Sequence, residues 1–432
     1  MKTRLAIVII VSALGLSPGT LLAQTLSSVA TPALTFSSSP RGNGMGGVEA
    51  TIPSSDAAAT IANPGQLGLF SLENFFNAST YLPKTELLPR MFTYPVDITH
   101  TMTVSALNAG INLTNLLSLP FSAGVGIGYS RTFVDWGEVF LTNSSSPQVI
   151  GSVAMNDTYE NYSVGLGVEY IVRLGIGMNF KRIASRMPGI TPAGGLAAFT
   201  ATPSATDFGI LLDLPLSTIV SKASGTSLSI VNGIDPFLDV AMSYVKSGVG
   251  DAVTYVDPSQ GDPLPRTALV GLSLEGGISA QSGKSNWKML SFALARQAED
   301  ILVIRHSDGT FEYKGGLGDL AIGDNVLVGR VTGNVLVRKG WQIGAGEFIY
   351  IRGGSVEGNG YDYSTSGYSV CLGGLVRLLE FASPEIAGTA WLAFIGDHID
   401  LQYHSASYAS PSSPWDGTTF EGLNFVFRGL PW

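Results

Sequence analysis

Apolar and polar residues alternate with period two over long stretches of the chain, most clearly in NYSVGLGVEYIVRLGIGMNFKR, residues 161–182. Val164, Leu166, Val168, Tyr170, Val172, Leu174, Ile176, Met178 and Phe180 take the even positions, while Ser163, Gly165, Gly167, Glu169, Arg173, Gly175, Gly177, Asn179 and Lys181 take odd ones. Successive side chains of a strand point to opposite faces, so this is a pleated strand with one greasy face. A membrane strand needs only about ten residues, so a hairpin is expected near Ile171–Leu174. A two-residue turn pairs residues of opposite parity, yet parity is preserved here, which predicts an odd-length loop or a bulge.

The same alternation recurs in GVGIGYSR, DFGILLDL, FLDVAMSYV, ALVGLSLEG and MLSFALARQ. The faces opposite the apolar sets are expected to carry Arg173, Lys181, Asp207, Asp213, Asp239, Glu275 and Arg296, charges that are costly in lipid but acceptable in a wet lumen. A soluble β-sandwich also alternates, so composition has to decide between the two. Only 13% of residues are charged, against roughly 25% in soluble domains, and the mean hydropathy is +0.27. Past the N-terminal leader, however, no uncharged apolar run reaches the roughly 18 residues of a spanning helix. An all-β fold, a transmembrane antiparallel β-barrel, reconciles these facts because its apolar residues are spread along many short crossings.

At roughly 25 residues per strand and loop, the chain from Phe70 to Trp432 predicts about 14 strands, an even number as expected for this class. Pro-, Gly- and Ser-rich stretches at 183–204, 247–264, 298–331, 353–366 and 402–417 are the expected longer loops, mostly extracellular. Tyr81, Tyr94, Tyr129, Tyr244, Trp341 and Trp391 are expected in interfacial belts. Residues 1–23, with Lys2 and Arg4 before an apolar run, read as a secretory signal peptide. The net charge of −9 excludes a nucleic-acid partner. Cys371 is the single cysteine, so neither an internal disulfide nor a thiolate metal cluster can form. No cofactor and no metal are expected.

Residues 24–69 lack this alternation. GNGMGG contains a literal G-x-G-x-x-G at Gly42, Gly44 and Gly47, but a dinucleotide fingerprint needs a preceding buried strand and a following helix within a βαβ unit. Pro32 and Pro40 break the preceding stretch, and the sequel is a short helix signal: Ser54 or Ser55 as N-cap, Asp56, then Ala57–Ala62, closed by Asn63-Pro64-Gly65. So short a segment cannot form its own core and needs a host. The barrel lumen is available, and the inward glycines Gly124, Gly126, Gly128, Gly165, Gly167, Gly175 and Gly177 would either admit its backbone closely or ease curvature of the wall.

RGNGMGGVEATIPSSDAAATIANPGQLG resembles the N-terminal hatch of FadL-type outer-membrane barrels, and more closely that of PorV/PorQ-type relatives, with Arg41, Gly44, Met45, Gly46, Gly47, Asp56, Ala57, Asn63 and Pro64 in matching positions. Gly65 departs from the usual Ala, and Ser54 and Ser55 from acidic residues. The C-terminal FEGLNFVFRGLPW resembles the strand signal read by the barrel assembly machinery, through Gly422, Phe425 and Phe427. These resemblances imply a signal peptide at 1–23, a hatch at 24–69 with one small helix, and a barrel at 70–432 in the outer membrane of a Gram-negative-type bacterium, in contact with its lipid.

The FadL-type resemblance implies passage of hydrophobic or small substrates, gated by the hatch, and a hydrophobic small-molecule ligand. The PorV/PorQ-type resemblance implies instead a component of a type IX-like secretion system that binds cargo or translocon proteins. An enzyme is not expected. His306 and Ser307, like His404 and Ser405, are adjacent on the chain and would point to opposite faces of a strand, and neither G-x-S-x-G nor a His-x-x-x-His metal spacing occurs.

Overall fold

The computed structural model describes residues 29–82, 85–89, 100–143, 146–190, 195–225, 229–230, 233–282, 285–383, 389–410 and 414–429. The expected signal peptide, Tyr94 and Trp432 lie outside these residues. Fourteen strands form the wall: β1 Phe75–Tyr81, β2 His100–Asn112, β3 Ser122–Asn143, β4 Ser146–Glu169, β5 Arg173–Ile190, β6 Ser204–Pro215 and β7 Ile234–Gly250, followed by β8 Thr267–Ser282, β9 Ser285–Ile301, β10 Leu336–Ala345, β11 Ile349–Gly358, β12 Tyr361–Cys371, β13 Ile399–Ala409 and β14 Thr419–Arg428. Each pairs antiparallel with its sequence neighbours, and β1 pairs with both β2 and β14, from Phe75↔Arg428 to Tyr81↔Gly422 on the β14 side. The sheet therefore closes and leaves no edge, the condition for placing strand backbone in lipid.

The period-two pattern sets which way each strand faces. Leu166 is 60% and Ile127 65% exposed on the outer face, whereas Asn179, Asp207 and Leu211 are buried on the inner one. β4 ends at Glu169 and pairs with β5 from Arg173, so the turn holds the three residues Tyr170–Val172, an odd number that keeps parity across the hairpin. Tyr81 departs from its expected place in a belt. The parity of β1 turns it inward, where it is buried with its ring 6.0 Å from that of Phe420.

Both ends of the wall, Phe75 and Arg428, lie at the same rim, called the near end below. The expected loop regions 183–204, 247–264, 298–331 and 402–417 reach the other, far end, although strand extends well into each of them. The stretch 353–366 is not a long loop. β11 and β12 run through it and join at Asn359-Gly360, both with positive φ (49° and 80°). Asn-Gly is the dipeptide that a tight two-residue hairpin demands, and it overrides the Gly- and Ser-rich composition around it. Among the described residues, the near end carries four helices that the strand pattern did not reveal: Thr114–Leu117, Leu216–Ser224, Leu372–Ala382 and Ala390–His398.

Placing arginine at Leu166, on the outer face, is expected to destabilise the barrel by about 2–4 kcal/mol, the cost of a cation against the hydrocarbon midplane. Urea unfolding in lipid vesicles measures this, with Leu166→Val as the size control. An arginine variant as stable as the wild type would mean that this face is not in lipid.

Candidate functional site

The N-terminal segment from residue 29 to Leu72 runs down the inside of the wall from the far end to the near end. Its start is tied to the loop after β7 by Ala30 N–H donating to Pro263 O at 2.9 Å, and Phe36 packs edge-on against Trp136 and Trp415. Ser39 caps a helical turn at Pro40–Asn43 by accepting from Gly42 N–H at 3.1 Å, and its hydroxyl also bonds Asp56. Asp56 in turn accepts from Ala58 N–H at 2.9 Å. The expected short helix occupies Ala59–Ala62 but is entered from Ala58, because Asp56 rather than Ser54 or Ser55 receives the helix-entry amide. A further helical turn, Gly65–Phe70, follows.

The glycine run performs close packing. Gly46 and Gly47 have positive φ (70° and 76°), a conformation that favours glycine. The Gly46 N–H donates to Thr365 Oγ1 at 2.8 Å, and Gln297 Nε2 donates to Gly47 O at 3.1 Å. A Cβ on Gly46 would lie 2.6 Å from Lys339 O, and one on Gly354 of β11 would lie 2.5 Å from Gly46 N. Gly44 rests on Gly367 of β12, Met45 is buried with Val48, Ile52 and Ala295, and Arg41 borders a cavity described below. The run thus lies against β10–β12. A different part of the segment, Pro64 to Ser71, meets the glycine-lined wall of β3–β6: Gly126 faces Leu67, Gly165 faces Gly68, and Gly177 faces Pro64, whereas Gly128 meets Asn108 of the wall itself.

Polar side chains of the segment and of the wall take the place of water between the two. Asn63 bonds Ala50 O (2.8 Å) and Ile210 O (3.2 Å) while accepting from Gly65 N–H, Asn179 donates to Thr60 O at 3.0 Å, and Thr51 bonds Ser243 at 2.8 Å. In the β14 signal, Gly422 faces Pro40 from inside, and Phe425 and Phe427 share the outward parity.

Most of the sequence-predicted lumen charges do face inward. Lys181 and Asp207 form a buried pair at 2.7 Å, and Asp207 also accepts from Gly248 N–H, so this pair belongs to the wall's own bonding. Arg173 pairs with Asp213, and Glu275 pairs at 2.7 Å with Lys288, a partner the sequence reading missed. Arg296 is a correction: it lies outside. It shares the parity of the outward Phe292 and Leu294, and its guanidinium donates to Val326 O (3.2 Å) and Leu327 O, pinning the segment Ile322–Val328 to the outer wall.

In the near half of the lumen, Asp213, Asp239, Glu275 and Lys288 face Arg41, Arg352 and His404 across a cavity of about 330 Å³, floored by Ile52–Ser55. Arg352 was legible in IYIRGG, where Ile349 and Ile351 face out and parity turns the arginine in. His404 bonds not Ser405 but Ser369 of β12, Nδ1 to Oγ at 2.5 Å, and Arg352 also donates to Ser369 Oγ. His306 is exposed beside Glu312 at 3.8 Å, and among the described residues its ring has no hydrogen bond to a serine.

Two outcomes test these contacts. Lys181→Met should cost about 3–5 kcal/mol, because it leaves the Asp207 charge buried and unpaired; equal unfolding midpoints would show the pair to be dispensable. Glu49, in the N-terminal segment, is buried with Oε2 unpartnered, and burial raises its carboxyl pKa above the ordinary value. The folded state therefore carries no penalty below the unfolded pKa and an increasing one as pH rises towards the folded pKa. Glu49→Gln should gain stability over the wild type at pH 8, and the gain should vanish by pH 4 in thermal unfolding; a gain independent of pH would refute the assignment.

No family and no curated relative matches the sequence. Among solved structures, the chain is similar to a deletion mutant of the monoaromatic hydrocarbon channel TodX (TM-score 0.42, 10% identity, 90% of this chain and 97% of that one). It is also similar to the toluene transporter TbuX of Ralstonia pickettii (0.38, 11%, 90% and 96%) and to OprB of Pseudomonas putida (0.33, 10%, 87% and 98%).

Proposed function

We propose that the protein is an outer-membrane channel for small solutes whose lumen is closed by its own N-terminal segment, acting as a hatch. The observation that carries this reading is the hatch's bonding to strands around the whole barrel, from Thr365 on β12 through Ser243 on β7 to Asn179 on β5, beside a cavity of about 330 Å³. A barrel serving only as an anchor has no use for a cavity floored by a separable segment. The hydrophobic outer face is the surface offered to lipid, the long-looped far end is extracellular, and the closing strand β14 engages the assembly machinery during insertion.

Gating works through local shifts within residues 41–66, which alter the cavity floor without expelling the hatch. The charged lining favours small polar solutes over hydrocarbons, because an apolar guest would strip water from ions without replacing their hydrogen bonds. Passage rather than catalysis also suits Ser369, whose hydroxyl is engaged by both Arg352 and His404.

Cysteines at Thr51 and Ser243, whose hydroxyls are 2.8 Å apart, can lock the hatch to β7 in a Cys371→Ser background. Liposome swelling in small sugars should be several-fold slower for the oxidised protein and recover on reduction. Equal rates in both states would reject hatch gating, and wild-type rates no higher than those of empty liposomes would reject the channel.

A further inference from the structure

The near-lumen cavity has two chemically distinct walls, and each presents unsatisfied groups. On one side are Arg41 of the hatch, Arg352 of β11 and His404 of β13. Arg352 is 3% and His404 2% exposed, and the His404 Nε2 edge has no partner. Arg352 spends its bonds on neutral groups, Gln342 Oε1 at 2.7 Å and Ser369 Oγ. Among the described residues neither Arg352 nor Arg41 has a carboxylate within ion-pair distance, although the Arg41 charge acts on both Arg352 and His404. The carboxylate nearest in the chain to this wall, Asp400, is held by Gly373 N–H at 2.9 Å and Gln402 Nε2 at 2.6 Å.

The other side is acidic. Asp213 is 2% exposed and pairs with Arg173 through Oδ2, which leaves Oδ1 buried without a partner, and Asp239 beside it makes no ion pair among the described residues. Lys288 is committed to Glu275. Buried charge without a counter-charge is expensive, and such groups are retained where a ligand completes them.

Resting on the channel reading above, we infer that this cavity is a binding site for a small zwitterion bearing a carboxylate and an ammonium group. The carboxylate lies against Arg41 and Arg352, on the wall that His404 also lines. The ammonium lies against Asp239, on the wall that Asp213 also lines. A volume of about 330 Å³ admits a molecule of amino-acid or dipeptide size, and a solute with only one charge satisfies only one wall. The hatch residue Arg41 belongs to the site, so occupancy and hatch position are linked: a shift of the Arg41 turn opens the carboxylate end.

The test uses the full-length protein in detergent, with glycylglycine as zwitterion and acetate as the single-charge probe, titrated by calorimetry at low salt. Arg41→Gln and Asp239→Asn should each weaken glycylglycine about tenfold or more, the weight of one charge-assisted hydrogen bond. Acetate binding should be weakened by Arg41→Gln and left unchanged by Asp239→Asn. Heat-modifiable gel mobility of each variant confirms that the barrel has formed. Absence of glycylglycine binding to the wild type, or an affinity unchanged from the wild type in either variant, overturns the inference. Liposome swelling separates the two readings: swelling retained without dipeptide binding removes this site and leaves the channel, whereas charge-dependent binding without swelling keeps the site and removes the channel.

Discussion

A strand's backbone can lie in hydrocarbon only if every amide and carbonyl finds a partner within the sheet. That requirement closes β1 onto both β2 and β14, and nearly everything else follows from closure. Closure separates an outer face that must be apolar from an inner face that need not be, so the period-two pattern becomes a map of lipid and lumen. Fourteen strands also enclose more space than their own inward side chains fill. The N-terminal segment occupies that space, and its irregular backbone brings a new set of unpaired groups.

The lumen answers with two devices. Where the segment's amides and carbonyls need partners, the wall supplies polar side chains such as Asn179, Thr365 and Gln297. Where the segment must approach the wall within van der Waals distance, the wall supplies glycine: Gly340, Gly354 and Gly367 opposite Met45 and Gly44, and Gly165 and Gly177 opposite Pro64 to Gly68. Glycine weakens a strand, so its recurrence on the inward face has a cost that curvature alone would not require at so many contact points. The same contacts account for the GNGMGG run, whose amides are already engaged, Gly46 by Thr365 of the barrel and the others within the segment itself, and leave no cradle for a phosphate.

The wall was legible in the sequence wherever one parity stayed apolar over several residues, and even the odd length of the turn, expected near Ile171–Leu174 and found at Tyr170–Val172, could be deduced because parity survived it. Errors arose where composition was allowed to overrule parity. Arg296 carries a charge but shares the parity of Phe292 and Leu294, so it lies outside, where carbonyls of the overlying loop satisfy it. Tyr81 is aromatic but has the inward parity of β1. The stretch 353–366 is rich in glycine and serine, yet its Asn-Gly dipeptide makes it a hairpin. The helices at 372–382 and 390–398 gave no period-two signal and break no strand pattern, so nothing in a search for strands would find them. The Ser369–His404–Arg352 cluster was hidden for a different reason. Its members come from three strands, and register rather than spacing brings them together.

The distribution of partners along the segment limits how it can move. Each hydrogen bond to the wall contributes about 1 kcal/mol net, but one left unmade inside the lumen costs more. Expelling the segment whole would break bonds to β5, β6, β7, β9, β12 and β14 together, and would expose the buried cluster of Met45, Val48 and Ile52. A shift confined to the cavity border breaks far fewer, because the groups there face open volume instead of a bonded neighbour, and Arg41 has no bond to lose among the described residues. The energetically accessible motion is therefore at the margin of the charged cavity, so the chemistry of that cavity, more than the width of the barrel, determines which solutes can be admitted.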